Sequence, residues 1–250
     1  MKYLWLLFFI VCACAPKTGL HQTADVPALW AQLTPPVSHS EQVLAHFSLH
    51  IQGEQQTGRM VGQLWGYPSS VMRLDLTASS GGLVAVIRES DNVWTAYLPS
   101  ENKAYHDYEA QKGWSYFHIP VPFNVRQVSN LFIGNLGEIL YNEYSKASTI
   151  AHQWTRLEFA LGDVAFLEMS PTLDVLVFKG RSGWVLTCEN PYSLEEFTGK
   201  QLYAKYTFVS VAGEKAILRL KSLELGSNWD VADLDLHLPD NVQWMRILHQ

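Results

Sequence analysis

Between Val43 and Leu98 apolar and polar residues alternate with period two, the pattern of strands that bury one face. In Phe47-Ser-Leu49-His-Ile51 the odd positions are apolar, while His46, Ser48 and His50 turn the other way. In Met72-Arg-Leu74-Asp-Leu76-Thr77 the even positions form the buried face. Arg59 to Gly66 lies between these runs, bounded by glycines, and reads as the middle strand of a meander. Ser79-Ser80-Gly81-Gly82 is a turn leading into Leu83 to Arg88, and Ser90-Asp91-Asn92 signals a tight turn before Val93 to Leu98. Five short strands in succession form a run of antiparallel hairpins.

The alternation breaks at Pro120, Pro122 and Asn124, after which Val125, Val128, Leu131 and Phe132 fall at helical spacing through Ile133. A second short helix is expected over Leu136 to Tyr144. Strands resume at Gln153 to Phe159, Val164 to Met169, Leu173 to Phe178, Trp184 to Cys188, Leu202 to Val211, Ala216 to Leu225 and Ala232 to Leu238. About eleven or twelve strands, interrupted once by helix, are too many for one flat twisted sheet, which curls on itself. The expected fold is mainly β: one strongly curved sheet, an incomplete antiparallel β-barrel, with a few covering helices.

The amino terminus adds an address. Lys2 precedes the apolar run Leu4 to Val11, too short for a membrane span of about 20 residues but suited to a secretory signal. Val11-Cys12-Ala13-Cys14 resembles the lipobox of bacterial lipoproteins, which implies cleavage before Cys14, diacylglycerol in thioether linkage to its sulfur and an N-acyl chain such as palmitate on the freed amine. The competing reading is an ordinary signal peptide with an incidental cysteine. Ala15 at mature position two points, by resemblance to sorting rules in two-membrane bacteria, to the periplasmic face of the outer membrane. Pro16, Pro27, Pro35 and Pro36 among polar residues mark a tether, with a short helix over Val26 to Leu33. The expected organisation is residues 1–13 signal peptide, 14–40 tether and short helix, and 41–250 one β domain.

Net charge is −6 with scattered Lys and Arg, so no basic stripe meets a phosphate backbone and nucleic acid is not an expected partner. Of three cysteines, Cys12 leaves with the signal and Cys14 is lipidated, leaving Cys188 alone in an apolar strand as a buried thiol; the alternative is a nucleophile. No nucleophile elbow, zinc spacing, phosphate loop or nucleotide-binding glycine fingerprint is present. His46 and His50 lie on a strand, roughly 13 Å apart by its rise, beyond joint reach of one metal ion. His106-Asp107 reads as a polar edge or loop, since adjacent strand residues face opposite ways. Glu158 and Glu168 are the polar half of their alternations, with nothing pairing them. These observations support neither an enzyme nor a cofactor beyond the covalent lipid.

Trp65, Trp94, Trp114, Trp154, Trp184, Trp229 and Trp244 are spread over the chain. They either fill the core or wall an apolar cavity, with the interrupting helix as plug or lid. Gly62, Ala85 and Ala96, small among large neighbours, point toward a cavity.

The layout resembles the LolA/LolB lipoprotein-carrier superfamily. The residues that carry the likeness are Phe47 to Ile51, Gly58 to Gly66, Val71 to Thr77, Gly82 to Ile87, and Asp91 to Tyr105 with its proline-bounded turn at Pro99; Phe123 to Ile133 as the covering helix; and Leu236 to Val242 as closing strand and proline turn. The resemblance implies a cavity for acyl chains, with Phe47, Leu49, Leu64, Leu74, Leu76, Val86, Trp94 and Leu131 as its expected lining. Lipidated Cys14 favours the membrane-anchored, LolB-like member, with acyl chains or lipoproteins as cargo and a possible periplasmic protein partner. That receptor exposes a leucine on a protruding early loop; here the connection is Ser79 to Gly82, short, with Leu83 as its apolar neighbour. The expected function is acyl-chain binding in lipoprotein or lipid trafficking. The alternative is a non-enzymatic envelope assembly scaffold, and a third reading is a periplasmic hydrolase.

Overall fold

The computed structural model describes residues 25–34, 42–54, 57–91, 93–108, 119–140, 143–226 and 229–247. The signal segment, Cys14, the tether and Trp114 lie outside them. The strands are β1 (Val43–Gln52), β2 (Thr57–Tyr67), β3 (Val71–Ala78), β4 (Leu83–Glu89), β5 (Trp94–Leu98), β6 (Lys103–Asp107), β7 (Lys146–Thr149), β8 (Thr155–Glu158), β9 (Val164–Met169), β10 (Leu176–Gly180), β11 (Val185–Tyr192), β12 (Leu202–Val209), β13 (Lys215–Leu225) and β14 (Gln243–Arg246). The α-helices are α1 (Val26–Leu33), α2 (Val125–Phe132) and α3 (Gly137–Leu140).

All fourteen strands form one strongly curved, open sheet in the order β14-β6-β5-β4-β3-β2-β1-β13-β12-β11-β10-β9-β8-β7. Two antiparallel meanders, β1 to β6 and β7 to β13, join where Val43 pairs with Leu225 and Gln52 with Lys215. The alternation in β1 buries Val43, Ala45, Phe47, Leu49 and Ile51 on the concave face. Residues 119–132 cross that face. Phe123 meets Trp184 and Phe208 at ring-centroid distances of 5.2 and 5.8 Å, while Phe132 meets Phe47 and Tyr206 at 5.4 and 5.2 Å. The interrupting segment is therefore core, clamped between both meanders.

Gly62 owes its size to this packing. A Cβ there would lie 2.3 Å from the Phe47 ring, so the space beside the glycine is filled by its cross-strand neighbour and is not a void. Gly180 likewise seats Trp184, whose ring would lie 2.2 Å from a Cβ. Among the tryptophans, Trp94 and Trp184 are buried, Trp65, Trp154 and Trp229 are half-buried, and Trp244 is exposed. Core filling thus accounts for two of them.

Several expected elements differ from those observed. Among the described residues the strand count is fourteen, above the eleven or twelve expected. Lys146–Thr149 is an edge strand with mostly exposed side chains, held by its backbone pairing to β8, and it carries no apolar alternation to announce it. β10 starts at Leu176; Leu173 sits in the preceding turn with φ 56°. The second helix spans only Gly137–Leu140, and Glu143 and Tyr144 are non-helical. The run 232–238 is not a strand. Val231–Leu234 is a 3-10 turn in which Asp230 and Asp233 form a reciprocal capping box, and Arg73 takes the Asp233 and Asp235 carbonyls at 3.4 and 3.0 Å. Those carbonyls serve a guanidinium rather than a ladder.

The closing strand comes later, as β14, and it pairs with β6 in parallel, so the sheet is not wholly antiparallel. His106 and Asp107 accordingly lie inside a paired strand, neither loop nor edge, with Asp107 buried and the His106 ring 6.0 Å from Trp244. From β13 to β14 the chain crosses the convex face as a strap. Trp229 meets Trp65 at 5.5 Å, and Arg88 pairs with Asp235 at 3.2 Å.

Candidate functional site

The pocket of interest lies beneath the crossing segment. Its floor is Phe47 and Leu49 of β1, Leu64 of β2, Leu74 of β3 and Leu218 of β13; its roof is Ile119, Val121, Val125 and Val128. Register places the floor residues together, since Leu64 faces Leu74 and Leu49 faces Leu218 across neighbouring strands. Every lining residue is apolar. The cavity volume is only about 10 Å³. That is the room of about one water molecule. The roof fills most of the hollow.

The roof helix begins where Asn124 caps it: the Asn124 carboxamide oxygen accepts from Gln127 N–H at 2.8 Å and the Gln127 oxygen accepts from Asn124 N–H at 3.0 Å. Pro120 and Pro122 keep the approach extended. At the first turn Glu89 of β4, 1% exposed, accepts from Val125 N–H at 2.8 Å. Burial pushes the Glu89 carboxyl up from 4.5 to about 7, against the pull of the Val125 and Arg126 amides and the Arg126 charge. Arg126 donates to the Pro68 and Ser69 carbonyls at 3.0 and 2.8 Å and pairs with Asp91.

At the last turn the Tyr206 hydroxyl donates to the Leu131 carbonyl at 3.1 Å, and Asn135 donates to the Asn130 side chain at 2.7 Å. Gln127, Ser129 and Asn130 are buried with the helix, and the Ser129 hydroxyl has no hydrogen-bond partner among the described residues. A carboxylate and an arginine hold one end of the roof, a phenol and an amide pair the other.

Of the eight expected lining residues, the structure brings Phe47, Leu49, Leu64 and Leu74 together around the pocket. Leu76, Trp94 and Leu131 are in the core outside its lining. Val86 is buried but belongs to neither, because Ala85 and Ile87 are the β4 residues in the core. Leu218, Ile119, Val121, Val125 and Val128 complete the site. Pro-separated Ile119-Pro-Val121-Pro-Phe123 carries a period-two signal that would have identified Ile119 and Val121. Leu83, beside the β3–β4 turn, is 44% exposed.

Among the described residues the candidate reactive groups are tied up or buried. Cys188 is fully buried, and burial raises its thiol well above the usual cysteine range, which removes the thiolate a nucleophile needs. Glu168, expected to be unpaired, accepts from Arg156 at 2.9 and 2.6 Å and from Lys179 at 3.0 Å. Burial acts to raise its carboxyl, but the Lys179 and Arg156 contacts outweigh that and hold it below the usual value. Among the described residues no three His, Cys, Asp or Glu converge as metal ligands.

No family model and no curated protein sequence matches the chain. Solved structures do match its fold. A domain assigned to outer-membrane lipoprotein sorting, from Vibrio parahaemolyticus, is 8% identical with a TM-score of 0.50, over 84% of this chain and 95% of that one. A DUF1329-family protein from Desulfovibrio piger is 10% identical with a TM-score of 0.53, again over 84% and 95%. A LolA-superfamily protein from Nitrosomonas europaea also matches, at 12% identity and TM-score 0.48 over 86% and 98%. At these identities the likeness is one of fold: the strongly curved, open sheet is similar to those of the lipoprotein-sorting domain and the DUF1329-family protein.

Proposed function

We propose that this chain is an outer-membrane lipoprotein, anchored through diacylglycerol and an N-acyl chain on Cys14, whose periplasmic domain binds acyl chains in lipoprotein or lipid trafficking. The observation that carries the reading is the wholly apolar pocket on the concave face of a LolA/LolB-like sheet, under a separately held roof. Ligand pockets occupy about 300–1,000 Å³. The hollow as it stands, about 10 Å³, falls far short of that range, so the roof must yield and an entering chain replaces the contacts of Ile119, Val121, Val125 and Val128. Affinity then follows apolar burial, about 25 cal/mol per Å², and rises with chain length rather than with head group. No step calls for a catalytic residue.

The near-complete filling of the hollow favours a second reading, an envelope assembly lipoprotein that binds a protein partner and keeps its core closed. One experiment separates them. The Cys14→Ala domain, expressed without its signal, is analysed by native mass spectrometry for co-purified lipid and then titrated with a fluorescent fatty acid. Bound acylated species displaced by the probe support the carrier. Lipid-free protein that also refuses the probe leaves the scaffold.

A further inference from the structure

The two ends of the sheet differ in what they carry. The ends of the roof helix occupy one, through Glu89, the Pro68 and Ser69 carbonyls and Gly134 against Gln201. At the other the antiparallel register gathers the turns β1–β2, β3–β4, β5–β6, β8–β9, β10–β11 and β12–β13. The two most exposed aliphatic side chains among the described residues both sit there, Leu161 at 64% in the β8–β9 turn and Val211 at 73% in the β12–β13 turn. One exposed aliphatic residue is ordinary. Two at tips separated only by the β10–β11 turn, each followed by small residues in Leu161-Gly162 and Val211-Ala212-Gly213, are not.

The tips form one rim. Arg181 of the β10–β11 turn donates its backbone N–H to the Asp163 carbonyl and its guanidinium to the Gly162 carbonyl, both at 2.8 Å. A Cβ on Gly183 of the same turn would lie 3.1 Å from Val211. The chain also enters at this end: Trp30 of α1 packs on Phe159, which opens the β8–β9 turn, and on Tyr144, at 5.9 and 5.5 Å. From Cys14 to α1 there are few enough residues that an extended chain spans at most about 40 Å.

We infer that this rim rests on the lipid bilayer that holds the anchor, with Leu161 and Val211 seated among the lipids. The inference rests on the anchored reading of Cys14. A bilayer fits better than a folded partner because the apolar groups stand on convex turns and are not joined in a groove. Asp163, Arg181, Glu214 and Lys215 balance in charge, so contact needs no anionic lipid and is insensitive to salt.

The full chain is reconstituted into phosphatidylcholine vesicles containing an acyl-chain quencher, with a fluorophore on Leu161→Cys, Val211→Cys or, in the β9–β10 turn at the opposite end, Thr172→Cys. Buried Cys188 stays unlabelled. Quenching several-fold stronger at 161 and 211 than at 172, in low and high salt alike, is the expected result. Equal or absent quenching at all three positions overturns it. If the chain fails to float with vesicles, the anchor reading has failed; the same variants held by a histidine tag in place of Cys14 on nickel-chelating lipid then decide the rim alone, by the same criterion. Acyl-probe uptake reports on the pocket and is independent of either result.

Discussion

The two halves of the sheet share one curvature but are filled differently. Under β1 to β3 and β13 the concave face is largely aliphatic, and a pocket remains there. Under β10 to β12 it is packed with Phe178, Tyr206 and Phe208, with Trp184 and Phe123 closing over them. Side-chain size, rather than strand path, decides where this fold keeps room for a ligand.

The largest expected effect comes from hollowing the filled half. Phe208→Ala removes a ring that is 1% exposed, and should cost about 3–5 kcal/mol in urea unfolding while adding a second site for the fatty-acid probe. Destabilisation under about 1 kcal/mol would mean the aromatic half collapses freely and the contrast between halves is superficial.

Glu89 tests the charged attachment of the roof on the aliphatic side. Its carboxyl is raised from 4.5 to about 7, so between those values the folded chain holds a proton that the unfolded chain has lost. Stability from this group is full below about pH 4.5 and is lost as pH rises through about 7, a difference of up to about 3 kcal/mol. Glu89→Gln, which keeps the acceptor for Val125 N–H, should be more stable than the parent at pH 8, nearly equal to it at pH 4.5, and should lose the slope between. An unchanged slope in denaturation against pH would assign it to another group.

Filling the pocket should act on binding more than on stability. Leu64→Phe places a larger side chain in the floor; overpacking costs about 1–3 kcal/mol, and fatty-acid uptake should fall well beyond what that loss explains. Undiminished uptake would place the binding site elsewhere. The smallest effect is expected at the opposite attachment of the roof: Tyr206→Phe deletes the hydrogen bond to the Leu131 carbonyl, for about 1 kcal/mol in thermal unfolding.

The first meander was legible because each of β1 to β3 buries one face against water, so the chain writes the sheet in alternating letters. The same logic placed Phe47, Leu49, Leu64 and Leu74 on the inner face. It could not resolve Val86, since Leu83-Val-Ala-Val-Ile87 is a continuous apolar run whose inward side is set by pairing with β3, including a register shift beside Leu76. Lys146–Thr149 and β14 are edge strands that bury little, and therefore leave little trace. Glu89 reads as a polar strand end; only the fold brings it to the amide of Val125. The run 232–238 misled because capping by Asp230 and Asp233 outweighs a weak alternation.

The pairing of β1 with β13 also governs how the chain reaches its structure. Every other neighbour of the first meander lies one short turn away or, for β14, joins at its far edge, but Val43 must wait for Leu225. Closing so long a loop costs entropy before its contacts repay it, and such distant pairings slow folding. Until the seam forms, β1 presents an open row of backbone donors and acceptors, the kind of edge on which strands of other chains add. The interval between the arrival of β2 and that of β13 is therefore the period in which this protein is most exposed to misassembly.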